Sequence, residues 1–392
     1  MTALYGLLHD VPTFAATSAR GPFSAKPAPD RAPRQGSPAP ALLLSWNPGA
    51  LSGAMDQLIA THPEAFSGPN ALPADPVPFR LAVLDAEVPP PIQLHPRMDQ
   101  ALSGFVREQA RGVPFNAGNR HYKDRHPKFE VAVALTPLQV LSGQRTSDEL
   151  QTLAQGLDVP WLRSLVTFRH EDPIHAILRM TESERTRALS ETHAAVARYI
   201  ASAPESAADA AVMTDAVTVV QRLEELFPGD AGILLAVCMK LVRLEPGQGM
   251  VTPAGCLHTY LSGKALLVMG TSGNSLTAGL THDYVDVGEL QGLLREGQPG
   301  PSPLPVVPVG PGEGQVPLWS SDLDLRHIVS SGEDREVRLN RFSVVLATLE
   351  PVVITVGDVT TRIEPGSSVL YLGDPATARV QGPSDLFIAS RA

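Results

Sequence analysis

Hydrophobic and polar residues follow two different periods along this chain, and the change between them divides it into segments. Apolar runs of strand length occupy residues 79–88 and 129–135, and turn-forming or charged residues flank them. Residues 99–111 follow a helical period instead, and Gly112 ends it. The pattern therefore predicts two strands with a short helix between them.

The middle of the chain changes to a purely helical pattern. Thr181 and Glu184 have the spacing of a capping box, which begins a long amphipathic stretch. A second amphipathic stretch runs over residues 213–227 and closes at a Pro-Gly pair. We interpret residues 146–228 as an all-helical insertion made of several short helices.

Two later segments repeat one β pattern. Residues 244–255 and 363–374 each combine a strand, a Glu-Pro-Gly turn, a second strand and another glycine-bearing turn. Jelly rolls of the cupin kind are built from such turns, and the repeat indicates two copies of one antiparallel unit. In register, the first copy has His258 where the second has Thr377, so we expect a metal in the first copy alone.

These patterns predict a mainly β protein, with two cupin-like jelly-roll units and an all-helical domain inserted into the first. A Pro/Ala/Ser-rich stretch within the first 41 residues predicts a flexible N-terminal segment, and we also expect a helix over residues 51–61. The expected boundaries are the flexible segment at 1–41, the first cupin unit at 42–145 and 229–300, the helical insertion at 146–228, a linker at 301–312 and the second cupin-like domain at 313–392.

Composition narrows the classes of partner. The chain has 392 residues, of which 43% are hydrophobic and 18% charged, enough for two or three globular domains. Its net charge is −10, its lysines and arginines are scattered, and only 5% of its residues are aromatic. Nucleic-acid-binding proteins normally carry a basic patch, so we expect no nucleic-acid partner.

The cysteines and the apolar runs bear on the compartment. Two cysteines, Cys238 and Cys256, form neither a disulfide framework nor a cysteine-based zinc site, which indicates a reducing compartment. The N-terminal sequence lacks the pattern of a signal peptide, and the apolar run at 231–239 is too short to cross a bilayer. By elimination we expect a cytoplasmic protein with no membrane partner, and we also expect a monomer.

Candidate metal ligands surround the stretch at residues 92–96. Gln93 and His95 are two residues apart, so on a strand they point to the same face. Alone, such a pair is more typical of two hydrogen-bonded polar residues than of a metal site. Glu130 opens an apolar strand, and it either faces solvent at the strand edge or points into a cavity. With His258 these residues supply two imidazoles, a carboxylate and an amide oxygen, which suit zinc or another divalent first-row ion.

The same stretches resemble the type I mannose-6-phosphate isomerase family, in an order and spacing that hold over residues 80–295. The motifs are Ile92-Gln-Leu-His-Pro96, Tyr122-Lys-Asp124, Lys128-x-Glu130, Pro253-Ala-Gly-x-x-His258-x-Tyr260, Ala278-Gly-Leu-Thr281 and Tyr284-Val-Asp-Val287. The resemblance implies a zinc-dependent aldose–ketose isomerase with a sugar-phosphate substrate, which interconverts mannose 6-phosphate and fructose 6-phosphate through an enediol. It implies metal ligation by Gln93, His95, Glu130 and His258, and catalytic roles for Lys128 and Tyr260.

The chain departs from the family where the family binds phosphate. Thr277 stands in place of the arginine of the family's Asn-x-x-Arg-Ala-Gly motif, and Asp283 in place of the lysine of its Thr-Pro-Lys motif. An arginine binds a phosphate dianion through two parallel hydrogen bonds, which a threonine cannot form. The alternative function is an isomerase-like zinc cupin with weak or different sugar activity, or a non-catalytic sugar-binding protein.

Overall fold

The computed structural model describes two short strands at 3–6 and 42–45, and most of the chain from residue 79 onward. The described range is 79–391, without 169–171, 203–209, 296, 298, 319–322 and 349. The helix expected over residues 51–61 and most of the N-terminal segment 1–41 lie outside the described residues.

The first β unit consists of two five-stranded antiparallel sheets. Its strands are β2 (Leu42–Ser45), β3 (Arg80–Asp85), β4 (Ile92–Leu94), β5 (Glu130–Ala134), β6 (Leu138–Gln144), β7 (Met239–Leu244), β8 (Gly249–Thr252), β9 (His258–Ser262), β10 (Lys264–Met269) and β11 (Leu276–Gly279). Sheet I has the strand order β2-β3-β10-β5-β8, and sheet II has the order β11-β4-β9-β6-β7.

The second β unit pairs a seven-stranded sheet with a four-stranded one. Its strands are β1 (Ala3–Gly6), β12 (Val307–Gly310), β13 (Glu313–Gln315), β14 (Leu323–Ser331), β15 (Arg335–Leu339), β16 (Phe342–Ala347), β17 (Val352–Val356), β18 (Val359–Ile363), β19 (Ser368–Leu372), β20 (Ala376–Gln381) and β21 (Pro383–Arg391). Sheet III has the order β1-β19-β16-β21-β14-β13-β12, and sheet IV has the order β15-β20-β17-β18.

Two of these strands lie in segments for which the sequence predicts no strand. Strand β1 falls within the segment expected to be flexible, and it pairs with β19 from Ala3↔Leu372 to Gly6↔Val369. Strand β12 falls within the expected linker and pairs with β13. Both strands are four residues long, too short for an alternating pattern to stand out from a Pro/Gly-rich background.

Most of the helices lie between β6 and β7, where the sequence predicts the insertion. The helices are α1 (Met98–Ala110), α2 (Ser147–Gly156), α3 (Pro160–Phe168), α4 (Pro173–Arg179), α5 (Glu182–Ser202), α6 (Ala210–Leu226), α7 (Gly232–Cys238) and α8 (Val287–Leu293). Thr146 caps α2 by accepting a hydrogen bond from the Glu149 amide. Helix α7 lies beyond residue 228; it is apolar on every side because it is completely buried. None of the described helices has the length and apolar character needed to span a bilayer.

The elements stack in five layers, in the order helices, sheet II, sheet I, sheet III and sheet IV, because four apolar clusters join them. In strand β10, successive residues contribute to two apolar clusters, one on each face of sheet I. Ala265 and Leu267 face sheet II, whereas Leu266 and Val268 face sheet III. Sheet I is therefore buried on both faces, and the interior of the first β unit lies between sheets I and II. The antiparallel sheets and the helical insertion predicted from the sequence are confirmed.

Candidate metal centre

One row of paired residues crosses sheet I and brings polar side chains into the first β unit. Arg80 pairs with Met269, Met269 with Glu130, and Glu130 with Thr252. Directly paired residues project from the same face of a sheet. Met269 belongs to the apolar cluster between sheets I and II, so Glu130 also points into that space. Glu130 is therefore buried between the two sheets and does not face solvent at the strand edge, which was one of the two alternatives left open by the sequence.

Sheet II brings two histidines to the same place. Gln93 on β4 and His258 on β9 are cross-strand partners, and His95 directly follows β4. The Nε2 atoms of His95 and His258 each lie 3.4 Å from a Glu130 carboxylate oxygen, and at most 2% of any of these side chains is exposed. In each residue of this His95–Glu130–His258 cluster, one candidate ligand atom lies within 4.8 Å of those of the other two.

The hydrogen bonds of the two imidazoles fit a metal site. The Nδ1 atoms of His95 and His258 lie 3.1 and 3.3 Å from the carbonyl oxygens of Asn274 and Cys256, to which an Nδ1–H can donate. When such a ring is neutral, its Nε2 carries a lone pair, and within the described residues neither Nε2 has a hydrogen-bond partner. Burial, together with the charge of Lys128, lowers the pKa of His95 to about 4, so its imidazole is neutral near pH 7. Two nitrogen lone pairs that point toward a carboxylate favour a cation bound between them.

Gln93 stands at the edge of this cluster. It is partly exposed, and its Oε1 accepts a hydrogen bond of 2.7 Å from the Ser275 hydroxyl. An amide oxygen has two lone pairs, so it can accept this hydrogen bond and still ligate an ion. Together, the four sequence-predicted ligands provide nitrogen and oxygen donors of the kind that zinc prefers.

Lys128 and Tyr260 both contact the carboxylate of Glu130. The Lys128 Nζ lies 3.7 Å from Glu130 Oε2, with 16% of the lysine side chain exposed. Burial lowers the pKa of Lys128, although the charge of Glu130 opposes the shift. The hydroxyl of Tyr260 donates a 2.7 Å hydrogen bond to Glu130 Oε1, and burial together with the charge of Glu130 raises the Tyr260 pKa well above its ordinary value. Tyr260 is thus buried and Lys128 largely buried where they contact the Glu130 carboxylate.

Two further residues have roles that the sequence reasoning missed. Arg80 shares the row with Glu130 and contributes to lowering the pKa of Lys128. Its signal was visible, because Arg80 is the one basic residue in the apolar run 79–88. Asn274 is fully buried, and its side-chain oxygen accepts from the Lys123 amide at 2.7 Å. Its Nδ2 donates to the His126 carbonyl at 2.9 Å, so Asn274 ties the loop before Lys128 to His95.

The positions of the family departures differ in their relation to the cluster. Thr277 on β11 is the cross-strand partner of Gln93, so the residue in place of the family arginine lies beside the centre. Asp283 is exposed in the turn after β11. Thr377 is exposed on β20 of the second unit. Over the part of the chain that the structure describes, the His95–Glu130–His258 cluster is the only group of at least three histidine, cysteine or acidic side chains placed to hold a metal ion.

A buried His-Glu-His cluster inside one of two stacked antiparallel β units defines a metal-binding protein of the cupin class. Residues 47–147 match the family model described as the catalytic domain of type I phosphomannose isomerase. Over this segment the chain is similar to the type I phosphomannose isomerase family.

Individual relatives extend this similarity beyond the matched segment. The mannose-6-phosphate isomerase of Escherichia coli K12 is 28% identical, over 78% of this chain and 77% of its own. That of Salmonella typhimurium LT2 is 32% identical over 55% of this chain and 53% of its own. The crystal structure of a lysine-to-alanine mutant of the Salmonella typhimurium phosphomannose isomerase is 25% identical, with a TM-score of 0.73, over 86% of this chain and 84% of that one. A holo, zinc-bound mannose 6-phosphate isomerase structure shares the fold with the same TM-score of 0.73.

Proposed function

We propose that this protein is a zinc-dependent isomerase that interconverts mannose 6-phosphate and fructose 6-phosphate. The observation that carries the proposal is the buried His95–Glu130–His258 cluster in the first β unit, part of which the matched catalytic-domain segment covers. The relatives that support it are mannose-6-phosphate isomerases, and a structure with this fold was solved with fructose 6-phosphate and zinc bound.

In this proposal, Gln93, His95, Glu130 and His258 hold the ion. A bound zinc ion would act as a Lewis acid on the sugar oxygens at C1 and C2. The neutral imidazoles and the carboxylate leave one net positive charge on such a centre, which favours an electron-rich substrate oxygen.

The surrounding residues favour the proton transfers of the reaction. Loss of the C2 proton of mannose 6-phosphate gives an enediolate, and protonation of O1 turns it into the enediol. Loss of the O2 proton and return of a proton to C1 then give fructose 6-phosphate. Lys128 is a largely buried cation that can stabilise the negative charge developing on the enediol oxygens. Its lowered pKa also makes it a better proton-transfer group near neutral pH than an ordinary lysine. Tyr260 holds the Glu130 carboxylate through its 2.7 Å hydrogen bond, which fixes the orientation of that ligand.

A second candidate function is supported by Thr277. Because this residue lies beside Gln93 in place of the family arginine, a phosphate group entering there lacks that cation. The second candidate is a zinc cupin with the same chemistry toward an unphosphorylated sugar, or one that binds sugar without turnover.

The test is turnover by the full-length chain, reconstituted with zinc and freed of excess metal. Formation of fructose 6-phosphate from mannose 6-phosphate is followed beside the metal-stripped protein and beside unphosphorylated mannose. We expect turnover only with zinc. We also expect Tyr260→Phe to lose more turnover than Tyr371→Phe. The latter is the control, because it removes the hydroxyl of a buried tyrosine in the second β unit. A zinc-loaded, folded protein that turns over mannose but not mannose 6-phosphate would establish the second candidate. We also propose a monomer in the cytoplasm, which sizing of the native protein and cell fractionation would test.

A further inference from the structure

Two consecutive residues, Asn274 and Ser275, each contact one side chain of the Gln-x-His pair. The Asn274 carbonyl oxygen lies 3.1 Å from His95 Nδ1, and the Ser275 hydroxyl donates to Gln93 Oε1 at 2.7 Å. This stretch immediately precedes β11, which pairs with β4 through Leu276↔Leu94 and Thr277↔Gln93. One short stretch of backbone therefore sets the orientation of both side chains.

The position of the Ser275 hydroxyl is fixed from both sides. On one side, Asn274 is fully buried and hydrogen-bonded through its side chain to the backbone of Lys123, Asp124 and His126. On the other side, Leu276 is buried and held in the β11–β4 ladder. Ser275 thus offers a rigid donor to Gln93, in contrast to an exposed serine on a free loop.

The rotation of the Gln93 amide decides which of its terminal atoms faces the cluster. The terminal torsion of glutamine is broad and roughly two-fold, so an unrestrained amide presents either its oxygen or its NH₂ group to a neighbour. Only the oxygen has lone pairs for a cation, and it has two. A hydroxyl that donates to one lone pair holds the oxygen in place and leaves the other lone pair available.

We propose that Ser275 is a positioning residue of the metal centre, which acts through Gln93 and raises the affinity of the site for zinc. The proposal rests on the proposed metal site, with Gln93 as one of its ligands. Partners that orient a metal ligand typically change metal affinity by about 10- to 100-fold when they are removed. Because Gln93 is one donor of four and the partner is a neutral hydroxyl, we expect the lower end, about tenfold.

The experiment measures zinc dissociation from the full-length chain by competition with a chromophoric chelator. We expect Ser275→Ala to bind zinc about tenfold more weakly than the wild type, and Ser275→Thr, which keeps the hydroxyl, to remain close to it. Ser262→Ala is the matched control: it removes a hydroxyl that donates to the Gln139 amide oxygen at 3.3 Å in the same sheet. Its zinc affinity should equal that of the wild type. Ser275→Val replaces the alanine variant if the latter does not fold.

A double-mutant cycle with Gln93→Ala separates this role from a general structural one. If Ser275 acts through Gln93, then Ser275→Ala has no further effect on zinc affinity once Gln93 is absent. Wild-type zinc affinity in folded Ser275→Ala, or the same loss with and without Gln93, would overturn the inference. The proposed function is tested separately, by turnover of mannose 6-phosphate. If Ser275→Ala weakens zinc binding only when Gln93 is present, but the wild type shows no turnover, the proposed function is refuted and the inference about Ser275 stands.

Discussion

Thr277 offers the sharpest test of how this protein treats a phosphate group. It is partly exposed, and as the cross-strand partner of Gln93 it lies next to the proposed metal ligands. Thr277→Arg would place a guanidinium on the same strand position at which the family carries its arginine. We expect this change to lower the KM for mannose 6-phosphate.

The size of the effect follows from the kind of contact that the arginine would form. A hydrogen bond to a charged group contributes about 1.5–3 kcal/mol. Since 1.4 kcal/mol corresponds to about a tenfold change in binding, KM should fall by about one to two orders of magnitude. Adding Asp283→Lys should lower it further by a smaller factor, because Asp283 is exposed and its charge is screened by solvent.

The assay is steady-state turnover with zinc-loaded protein at several concentrations of mannose 6-phosphate. Thr377→Arg adds the same charge on an exposed strand of the second β unit, so it controls for the change in net charge. Unphosphorylated mannose is the second control, since its KM should not respond. An unchanged KM for mannose 6-phosphate in folded, zinc-loaded Thr277→Arg would show that this position does not contact the phosphate.

Three further predictions concern the metal, its surroundings and the stacking of the sheets. His258→Ala should lose most of its zinc by elemental analysis, because the cluster then keeps only one imidazole; full retention would exclude His258 as a ligand. Tyr260→Phe removes the hydroxyl that donates to Glu130, so kcat/KM should fall by about tenfold or more, from a hydrogen bond of about 1.5–3 kcal/mol to a charged group; unchanged kcat/KM in zinc-loaded protein would remove Tyr260 from the mechanism. Phe342→Ala should lower the free energy of unfolding in urea by about 3–5 kcal/mol, because Phe342 is fully buried and meets Phe79 at a ring distance of 5.4 Å between sheets III and I; a loss below about 1 kcal/mol would contradict that packing.

The proximity of the proposed ligands could be predicted in large part because local rules bring the residues together. Two residues at positions i and i+2 of a strand share a face whatever the rest of the fold does, which relates Gln93 to His95. The repeated Glu-Pro-Gly turns indicated two β units, and the lone charge of Glu130 in an apolar strand marked a position of interest. Each of these signals is contained in a few neighbouring residues.

The parts that could not be predicted depend on pairing between distant strands. Arg80 joins Glu130 only through the ladders of β10, and Ser275 meets Gln93 only because β11 pairs with β4. Strand register is set by the whole sheet, so a single sequence does not reveal which distant residues face each other. For the same reason, the four-residue strand β1 became recognisable only beside its partner β19.

That pairing of β1 with β19 has a consequence for how the protein is made. The ribosome produces Ala3–Gly6 early, yet their hydrogen-bonding partners at Val369–Leu372 emerge only after most of the chain. At a synthesis rate of about 5–20 residues per second, the roughly 360 intervening residues take about 20–70 seconds. The first β unit and the helices can fold during that interval, whereas the β1 edge of sheet III cannot form before β19 has been made. Translation rate therefore bears on a late step of folding, far in sequence from the metal centre.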